Sequence, residues 1–177
     1  MTRSPWRFRA ICFTTALCCA IASTRSFAAE PPTPAASLEA TVSTVLELTN
    51  VERAKAGLAP LRENSRLQLA AQLQSEQMGS ASRMDHVLRE ARYPNPADRL
   101  AAAKYVWEAY AENVAMGQRS AAEVVSAWMH SPGHRANILN PNYTELGIGY
   151  ALDATGHPYY AQVFGRPGSQ RVALSIR

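Results

Sequence analysis

The dipeptide Pro132-Gly133 constrains the fold more than any other feature of this 177-residue sequence. Proline lacks a backbone N–H, so it is tolerated in the first turn of a helix but not in the interior. A helix that runs through Trp128 must therefore end near Ser131. Because Ser131 suits the N-cap position and Pro132 the first helical position, a second helix is predicted to begin there. The sequence thus predicts a corner between two helices.

Apolar residues recur at helical spacing in three segments before or at this corner. The first segment begins near Ser37 and ends at Gly57, which suits the left-handed position that follows many helices. The second begins at Asn64, and the third begins at Ser120 and leads into the corner. A short helix is predicted over residues 97–104, and residues 81–96 are predicted to form a loop.

Strand patterns are concentrated in the C-terminal half of the chain. Residues 105–116 are partly aromatic and β-branched, which indicates a short strand ending near residues 112–114. Residues 146–152 and 159–164 are predicted strands joined by a hairpin turn at Thr155-Gly156, and residues 172–176 fit a final strand. Because the helices precede an antiparallel hairpin, the predicted fold class is α+β, with helices packed on a small sheet.

The N-terminus has the three parts of a secretory signal peptide. Arg3, Arg7 and Arg9 precede an apolar run over residues 10–22, and Ser26-Phe27-Ala28 supplies small residues for cleavage after Ala28. The run is shorter than the roughly 20 residues that span a bilayer. We therefore expect residues 1–28 to be removed, no transmembrane segment to remain, and the protein to be secreted to the periplasm or the medium.

The predicted leader accounts for two features of the composition. It contains all three cysteines, so the mature chain would have no disulfide framework. Cys18 and Cys19 would suit a lipoprotein, but Leu17 stands where that signal needs a small residue. Four of the 18 basic residues and none of the 14 acidic residues lie in the leader, which leaves 14 of each. The pI of about 9.2 therefore gives no indication of a nucleic-acid partner.

Several common catalytic patterns are missing from the mature sequence. His130 and His134 are four residues apart, but Pro132-Gly133 breaks the helix between them and no HExxH motif is formed. There is no G-x-S-x-G motif and no cysteine nucleophile. Gly147 and Gly149 favour close packing of a strand over dinucleotide binding. The sequence therefore excludes the usual zinc-protease, serine-hydrolase and thiol-hydrolase patterns.

Three residues in or beside predicted loops remain as a candidate site: His86, Glu112 and His134. Two imidazoles and one carboxylate are a reasonable ligand set for a divalent metal, with open positions for water or a ligand. The alternative is that these side chains only hold loops together through hydrogen bonds. Spacing alone leaves both interpretations open.

Five segments, taken in order, resemble the CAP superfamily of cysteine-rich secretory, antigen 5 and pathogenesis-related proteins, in particular its bacterial SCP-like extracellular branch. The resemblance covers residues 46–164. It rests on LTNVERAKAGLAPL at residues 48–61, Met84-Asp85-His86, the AENVA segment at residues 111–115, AWMHSPGHRANILNPNYTELGIGY at residues 127–150, and YYAQVFG at residues 159–165. The AENVA segment matches a GEN-[IV]-A signature, with Ala111 in place of glycine.

The resemblance implies an α-β-α sandwich with a small antiparallel sheet between helices, and a cleft of histidines and glutamates that can hold zinc. His86 and Glu112 match the first histidine and the first glutamate of that set. Ser131 and Tyr159 occupy the positions of the second glutamate and the second histidine, and His134 is the histidine of the bacterial type. We therefore expect all five residues to line the cleft, with His86, His134 and Glu112 as a weak metal site.

The expected domain organisation is a leader over residues 1–28, a Pro/Ala-rich linker over 29–37, a CAP-like domain over 38–166 and a tail over 167–177. The expected function is that of a secreted module that binds a small molecule or lipid. Two alternatives remain. One is a metal-assisted or acid/base hydrolase of peptide or cell-envelope material, and the other is a structural domain without a ligand.

Overall fold

The computed structural model describes residues 34–169, with side chains from residue 37 onward. The predicted leader, residues 29–33 of the linker and the predicted strand at 172–176 lie outside the described residues. Within them, helices and strands follow in this order: α1 Pro34–Lys55, β1 Arg62–Glu63, α2 Ser65–Ala81, α3 Pro96–Ala102, β2 Trp107–Met116, α4 Ala121–His130, α5 Pro132–Ile138, β3 Glu145–Leu152 and β4 Pro158–Pro167. No helix of the described part combines the length and hydrophobicity needed to cross a bilayer.

The four strands form one sheet in the order β1-β3-β4-β2. The β3–β4 hairpin and the β2–β4 pair are antiparallel, whereas β1 pairs with β3 in parallel. Helices α2 and α3 pack on one face, and α1, α4 and α5 lie on the other. The expected α-β-α sandwich is confirmed, and β1 makes the sheet mixed. Two residues are too few to show strand alternation, so the sequence did not predict β1.

A core on the α1/α4 side of the sheet is built around Trp128. This side chain is fully buried with Val124, Val125 and Phe164, and its Nε1–H donates to the Val114 carbonyl at 3.2 Å. A buried indole keeps its hydrogen bond in this way. Trp128 therefore anchors this core from the last turn of α4.

The second core lies between the sheet and α2, where the backbones of β3 and α2 nearly touch. A Cβ added at Gly147 would overlap the backbone of Leu67, and one added at Gly149 would overlap the backbone of Ala71. Only glycine permits this approach. The two glycines therefore serve close packing, as the sequence indicated.

Helix ends follow local rules closely. Asn64 caps α2 by accepting from two backbone N–H groups, and Ser120 caps α4 by accepting from Glu123 N at 3.2 Å. Gly57 has φ +72°, and Leu58 N donates to Arg53 O at 3.0 Å, which forms a Schellman cap. Two expectations were less accurate: α1 begins at Pro34 and not near Ser37, and Ser131 occupies the N-cap of α5 without a side-chain capping bond.

Arg53 of α1 lies in the interior of the domain, although arginine side chains are mostly exposed. The side chain is buried, and its guanidinium donates to the backbone carbonyls of Ala59, Ile138 and Asn140 at 2.8–2.9 Å. These acceptors lie beyond the C-terminus of α1 and at the end of α5. Arg53 therefore joins three chain segments, which helical periodicity alone does not indicate.

Candidate functional site

His86 and Glu112 meet at the free side of β2, the edge strand of the sheet. His86 Nδ1 lies 2.9 Å from Glu112 Oε1. Because an ionised carboxylate can only accept, Nδ1–H is the donor, and Nε2 is the nitrogen that can bond a ligand. The His86 side chain is 49% exposed and that of Glu112 is 3% exposed. The pair thus consists of an accessible imidazole held by a buried carboxylate.

Arg99, a buried residue on α3, forms hydrogen bonds with both members of this pair. Its Nη2 donates to Glu112 Oε1 at 3.1 Å and to Oε2 at 2.9 Å, and also to the His86 carbonyl at 3.1 Å. Its Nη1 donates to the Tyr93 carbonyl at 3.2 Å. Arg99 is only 1% exposed. One guanidinium therefore fixes the carboxylate and both ends of the loop that carries His86.

The loop between α2 and α3, residues 82–95, is held at several points. Gln74 Nε2 donates to the Asp85 carbonyl at 2.6 Å, and the Gln77 amide exchanges two hydrogen bonds with the Tyr93 backbone at 3.1 and 3.2 Å. Leu88 is buried beneath the loop. The segment matches the predicted loop, and its contacts give His86 a defined position.

His134 reaches the same edge from the opposite face of the sheet. Its carbonyl accepts from Asn113 Nδ2 at 3.2 Å, and Asn137 Nδ2 donates to Asn113 Oδ1 at 2.8 Å. These bonds attach α5 to β2. Adjacent residues of a strand point to opposite faces, so Glu112 faces α3 while Asn113 faces α5. His86 and His134 therefore approach one another around the edge of β2.

The pKa values of the two imidazoles are shifted in opposite directions. The hydrogen bond to Glu112 raises the pKa of His86, with a further contribution from the charge of that carboxylate. Burial lowers the pKa of His134, and the positive charge of His86 lowers it further. Near neutral pH the site thus favours a neutral His134 beside a more basic His86.

Tyr159 and Ser131 do not contribute to the site as expected. Tyr159 is 2% exposed and lies in the second core, opposite Met116 in the sheet register, so it does not line an accessible cleft. Ser131 lies at the corner between α4 and α5, and among the described residues its side chain forms no hydrogen bond with His86, Glu112 or His134. The alternation of β4 directs Tyr159 into the second core, and strand alternation alone does not indicate which face of β4 is accessible.

The predicted metal set is not assembled. Within residues 34–169, no three His, Cys, Asp or Glu side chains are arranged to hold a metal ion. Both Glu112 oxygens accept from Arg99, and Oε1 also accepts from His86. A metal would have to displace a buried guanidinium, and an uncompensated buried charge costs several kcal/mol. The residues present therefore do not fit the metal that the resemblance implies.

Arg99 is a residue of the candidate site that sequence reasoning missed. It lies in the predicted short helix, and nothing in its local sequence distinguishes it from the exposed Arg92. Its burial depends on Glu112, which follows 13 residues later on a different element. No local signal could have identified it.

Exposed apolar side chains lie next to His86 in the loop, and an aromatic pair lies near Glu112 on β2. Met84 and Val87, on either side of His86 in the loop, are 46% and 42% exposed. Tyr110 lies on the same face of β2 as Glu112, two residues away, and its ring meets Trp107 edge to face at a centroid distance of 5.5 Å. The site therefore combines a fixed polar group with exposed and partly buried apolar surface.

The hydrogen bonds limit the reactions that this site can support. An imidazole backed by a carboxylate can act as a base toward water. No Ser, Thr or Cys side chain in the described part of the chain bonds to His86 or His134. The described residues thus form an acid/base pair without a side-chain nucleophile.

Comparison with known proteins identifies relatives of this chain. Residues 46–164 match the family described as CAP, the cysteine-rich secretory protein family. A Bacillus subtilis protein, YkwD, is 42% identical over 114 residues, which cover 64% of this chain and 44% of that protein. YkwD is an uncharacterized protein.

Solved structures share the fold. An extracellular protein containing an SCP domain from Bacillus anthracis has a TM-score of 0.68 at 26% identity, covering 77% of this chain and 44% of that one. A cysteine-rich secretory protein from Staphylococcus aureus has a TM-score of 0.60 at 24% identity, covering 76% and 41%, and shows the fold alone. The present chain spans less than half the length of each of these three proteins.

Proposed function

We propose that this chain, which belongs to the CAP family of cysteine-rich secretory proteins, is an exported module that binds a small amphiphilic molecule such as a lipid. The polar group of the ligand would bond to His86 Nε2, and its apolar part would contact Met84, Val87 and Tyr110. Export is supported by the signal-like N-terminal sequence and by the similarity to an extracellular protein of Bacillus anthracis.

The observation that carries this proposal is the fixed position of an accessible imidazole. His86 is half exposed, yet its Nδ1–H is held by Glu112, which is itself held by Arg99. A side chain that is already ordered loses little conformational entropy when a ligand binds. The exposed Met84 and Val87 beside it provide apolar area that a ligand would remove from water.

Binding is testable with two probes that share a 12-carbon chain, dodecanoate and dodecylphosphocholine, both kept below their micelle concentrations. Trp107 lies beside the proposed site, so its fluorescence should change during titration, and calorimetry should give the same affinity. We expect His86→Ala and Met84→Ser to weaken binding about tenfold, the typical effect of losing one good contact. His130→Ala removes an exposed histidine on α4 outside the site and serves as the matched control.

The result that would reject the proposal is binding of equal strength in wild type and His86→Ala, or no binding of either probe. Preference for dodecanoate would indicate a carboxylate ligand, and preference for dodecylphosphocholine would indicate a phospholipid headgroup. Absence of binding with a folded protein would favour the purely structural role.

A hydrolase is the second candidate, and the His86–Glu112 hydrogen bond is the observation that favours it. His86 would take a proton from water while Glu112 stabilises the imidazolium. Release of new amino groups from peptide or cell-envelope material would be measured with wild type, Glu112→Gln and His130→Ala. The hydrolase requires activity that Glu112→Gln abolishes and His130→Ala retains, and it is rejected if no amine is released.

A further inference from the structure

Both oxygens of the Glu112 carboxylate accept hydrogen bonds from protein side chains. Oε1 accepts from His86 Nδ1 at 2.9 Å and from Arg99 Nη2 at 3.1 Å, and Oε2 accepts from the same Nη2 at 2.9 Å. Its side chain is 3% exposed. A divalent cation needs oxygen lone pairs that are directed at an open position. Here the guanidinium occupies that side of the carboxylate.

The charge of the pair is also balanced. Arg99 supplies one positive charge to one buried negative charge, and the aliphatic and aromatic residues of the second core surround them. A metal ion added beside Arg99 would leave excess positive charge in a region of low polarity, which is strongly unfavourable. A metal ion could therefore enter only if Arg99 left.

Arg99 cannot leave without releasing other bonds. It also donates to the carbonyls of His86 and Tyr93, and it lies in α3. Displacing it would remove the bond that Arg99 makes to the His86 carbonyl and would leave the Tyr93 carbonyl with Gln77 Nε2 as its side-chain donor, so the loop that carries His86 would be held less firmly. The same interactions that position His86 therefore keep the guanidinium in place.

We infer that Arg99 is the resident cation of this site and replaces the divalent metal implied by the family resemblance. The His86–Glu112 pair is then independent of metal, and whatever binds here bonds to an imidazole rather than to a metal ion. The inference does not depend on the identity of the ligand proposed above, because it concerns only the state of Glu112.

Zinc titration of four proteins tests it: wild type, Arg99→Gln, Arg99→Lys and Glu112→Gln. The probe is Zn²⁺ alone, followed by calorimetry and by the NMR signals of the His86 ring, which separate this site from the exposed His130 and His157. In wild type we expect the His86 signals to remain unchanged, and any zinc bound elsewhere to be unaffected by Glu112→Gln.

Arg99→Gln removes the positive charge and leaves the Glu112 carboxylate, which bonds to His86, without its counter-charge. We expect its zinc affinity at His86 to exceed that of wild type by about tenfold or more, the scale on which groups around a metal site alter affinity. A second substitution, Glu112→Gln, should abolish this gain. Arg99→Lys keeps a positive charge, so it should gain no zinc affinity.

Two results would overturn the inference. One is zinc binding at His86 in wild type that Glu112→Gln weakens about tenfold or more. The other is a folded Arg99→Gln protein, verified by circular dichroism, that binds zinc no more tightly than wild type. If Arg99→Gln does not fold, zinc titrations of wild type and Glu112→Gln decide the question.

Discussion

Arg99 donates from a single nitrogen, Nη2, to both carboxylate oxygens of Glu112, and the two side chains are almost completely removed from solvent. Each charge therefore depends on the other for compensation. Because the same nitrogen also binds the His86 carbonyl, this one contact joins β2, α3 and the loop of the candidate site. The site is held from within the domain.

Breaking this pair should destabilise the protein strongly. Glu112→Gln leaves a buried guanidinium without its counter-charge, so we expect the free energy of unfolding to fall by about 3–5 kcal/mol. Urea denaturation would measure it. Glu108→Gln is the matched control on the same strand, because the Glu108–Arg166 pair is exposed and should change stability by less than about 1 kcal/mol. Equal effects of the two substitutions would contradict the importance of the buried pair.

The two histidines should give opposing pH dependences. The folded pKa of His86 is raised, so its stabilising contribution is complete below the unfolded pKa of about 6.5 and is lost as pH rises through the folded value. The folded pKa of His134 is lowered, so its contribution is present above about 6.5 and is lost as pH falls through the folded value.

His86→Gln should therefore remove the fall in stability that occurs as pH rises above about 6.5, and it should leave the loss of the His134 contribution below about 6.5 in place. His134→Gln should instead remove the loss of stability that occurs as pH falls below about 6.5, because the His86 contribution is complete in that range. Urea midpoints between about pH 5 and 8 would measure both slopes. Parallel curves for the two variants and wild type would show that the rings do not titrate as the structure indicates.

Close packing of β3 on α2 predicts a large difference between two glycine substitutions. Gly149→Ala should destabilise by about 1–3 kcal/mol or more, because the new Cβ would overlap the Ala71 backbone and neither element can move freely. Gly133→Ala, in α5, meets no atom within 4 Å and should be neutral or stabilising by about 0.5–1 kcal/mol. Thermal denaturation of both variants would test this contrast, which disappears if Gly149→Ala is tolerated.

Only two residues of β3 pair with β1. Beyond them, glutamine side chains of α2 form hydrogen bonds with the backbone groups of β3. Gln68 Oε1 accepts from Ile148 N at 2.9 Å, and the Gln72 amide both accepts from Tyr150 N and donates to Tyr150 O. Unpaired strand edges invite association with other chains. These side-chain amides therefore form the hydrogen bonds that the backbone of a neighbouring strand would otherwise form with β3.

Gln72→Leu should accelerate hydrogen exchange of the Tyr150 amide and lower the free energy of unfolding by about 1–3 kcal/mol, the cost of unsatisfied buried groups. NMR-detected exchange would measure the first effect. Leu69→Ala, an exposed position on the same helix, should leave the Tyr150 amide unchanged. Unchanged exchange in Gln72→Leu would show that water replaces the amide without cost.

Sequence reasoning was most reliable where the physical cause is local. The caps at Asn64 and Ser120, the helix end at Gly57 and the corner at Pro132 depend on groups within about four residues of one another. Sequence reasoning placed the C-terminal ends of β2 and β4 too early. These strands extend to Met116 and Pro167 because they pair with each other across the sheet.

The order of the helices and of the three longer strands, the α+β class and the choice of His86, Glu112 and His134 as candidate residues thus came from the sequence alone, whereas β1 did not. Only the tertiary structure decided that Arg99 meets Glu112 in the interior, that Tyr159 points into the core and that His134 comes from the opposite face of the sheet. These outcomes depend on strand register and on contacts between residues distant in sequence. Such contacts decide whether a charged side chain is buried with a partner or exposed to water, and helical or strand periodicity contains no information about them.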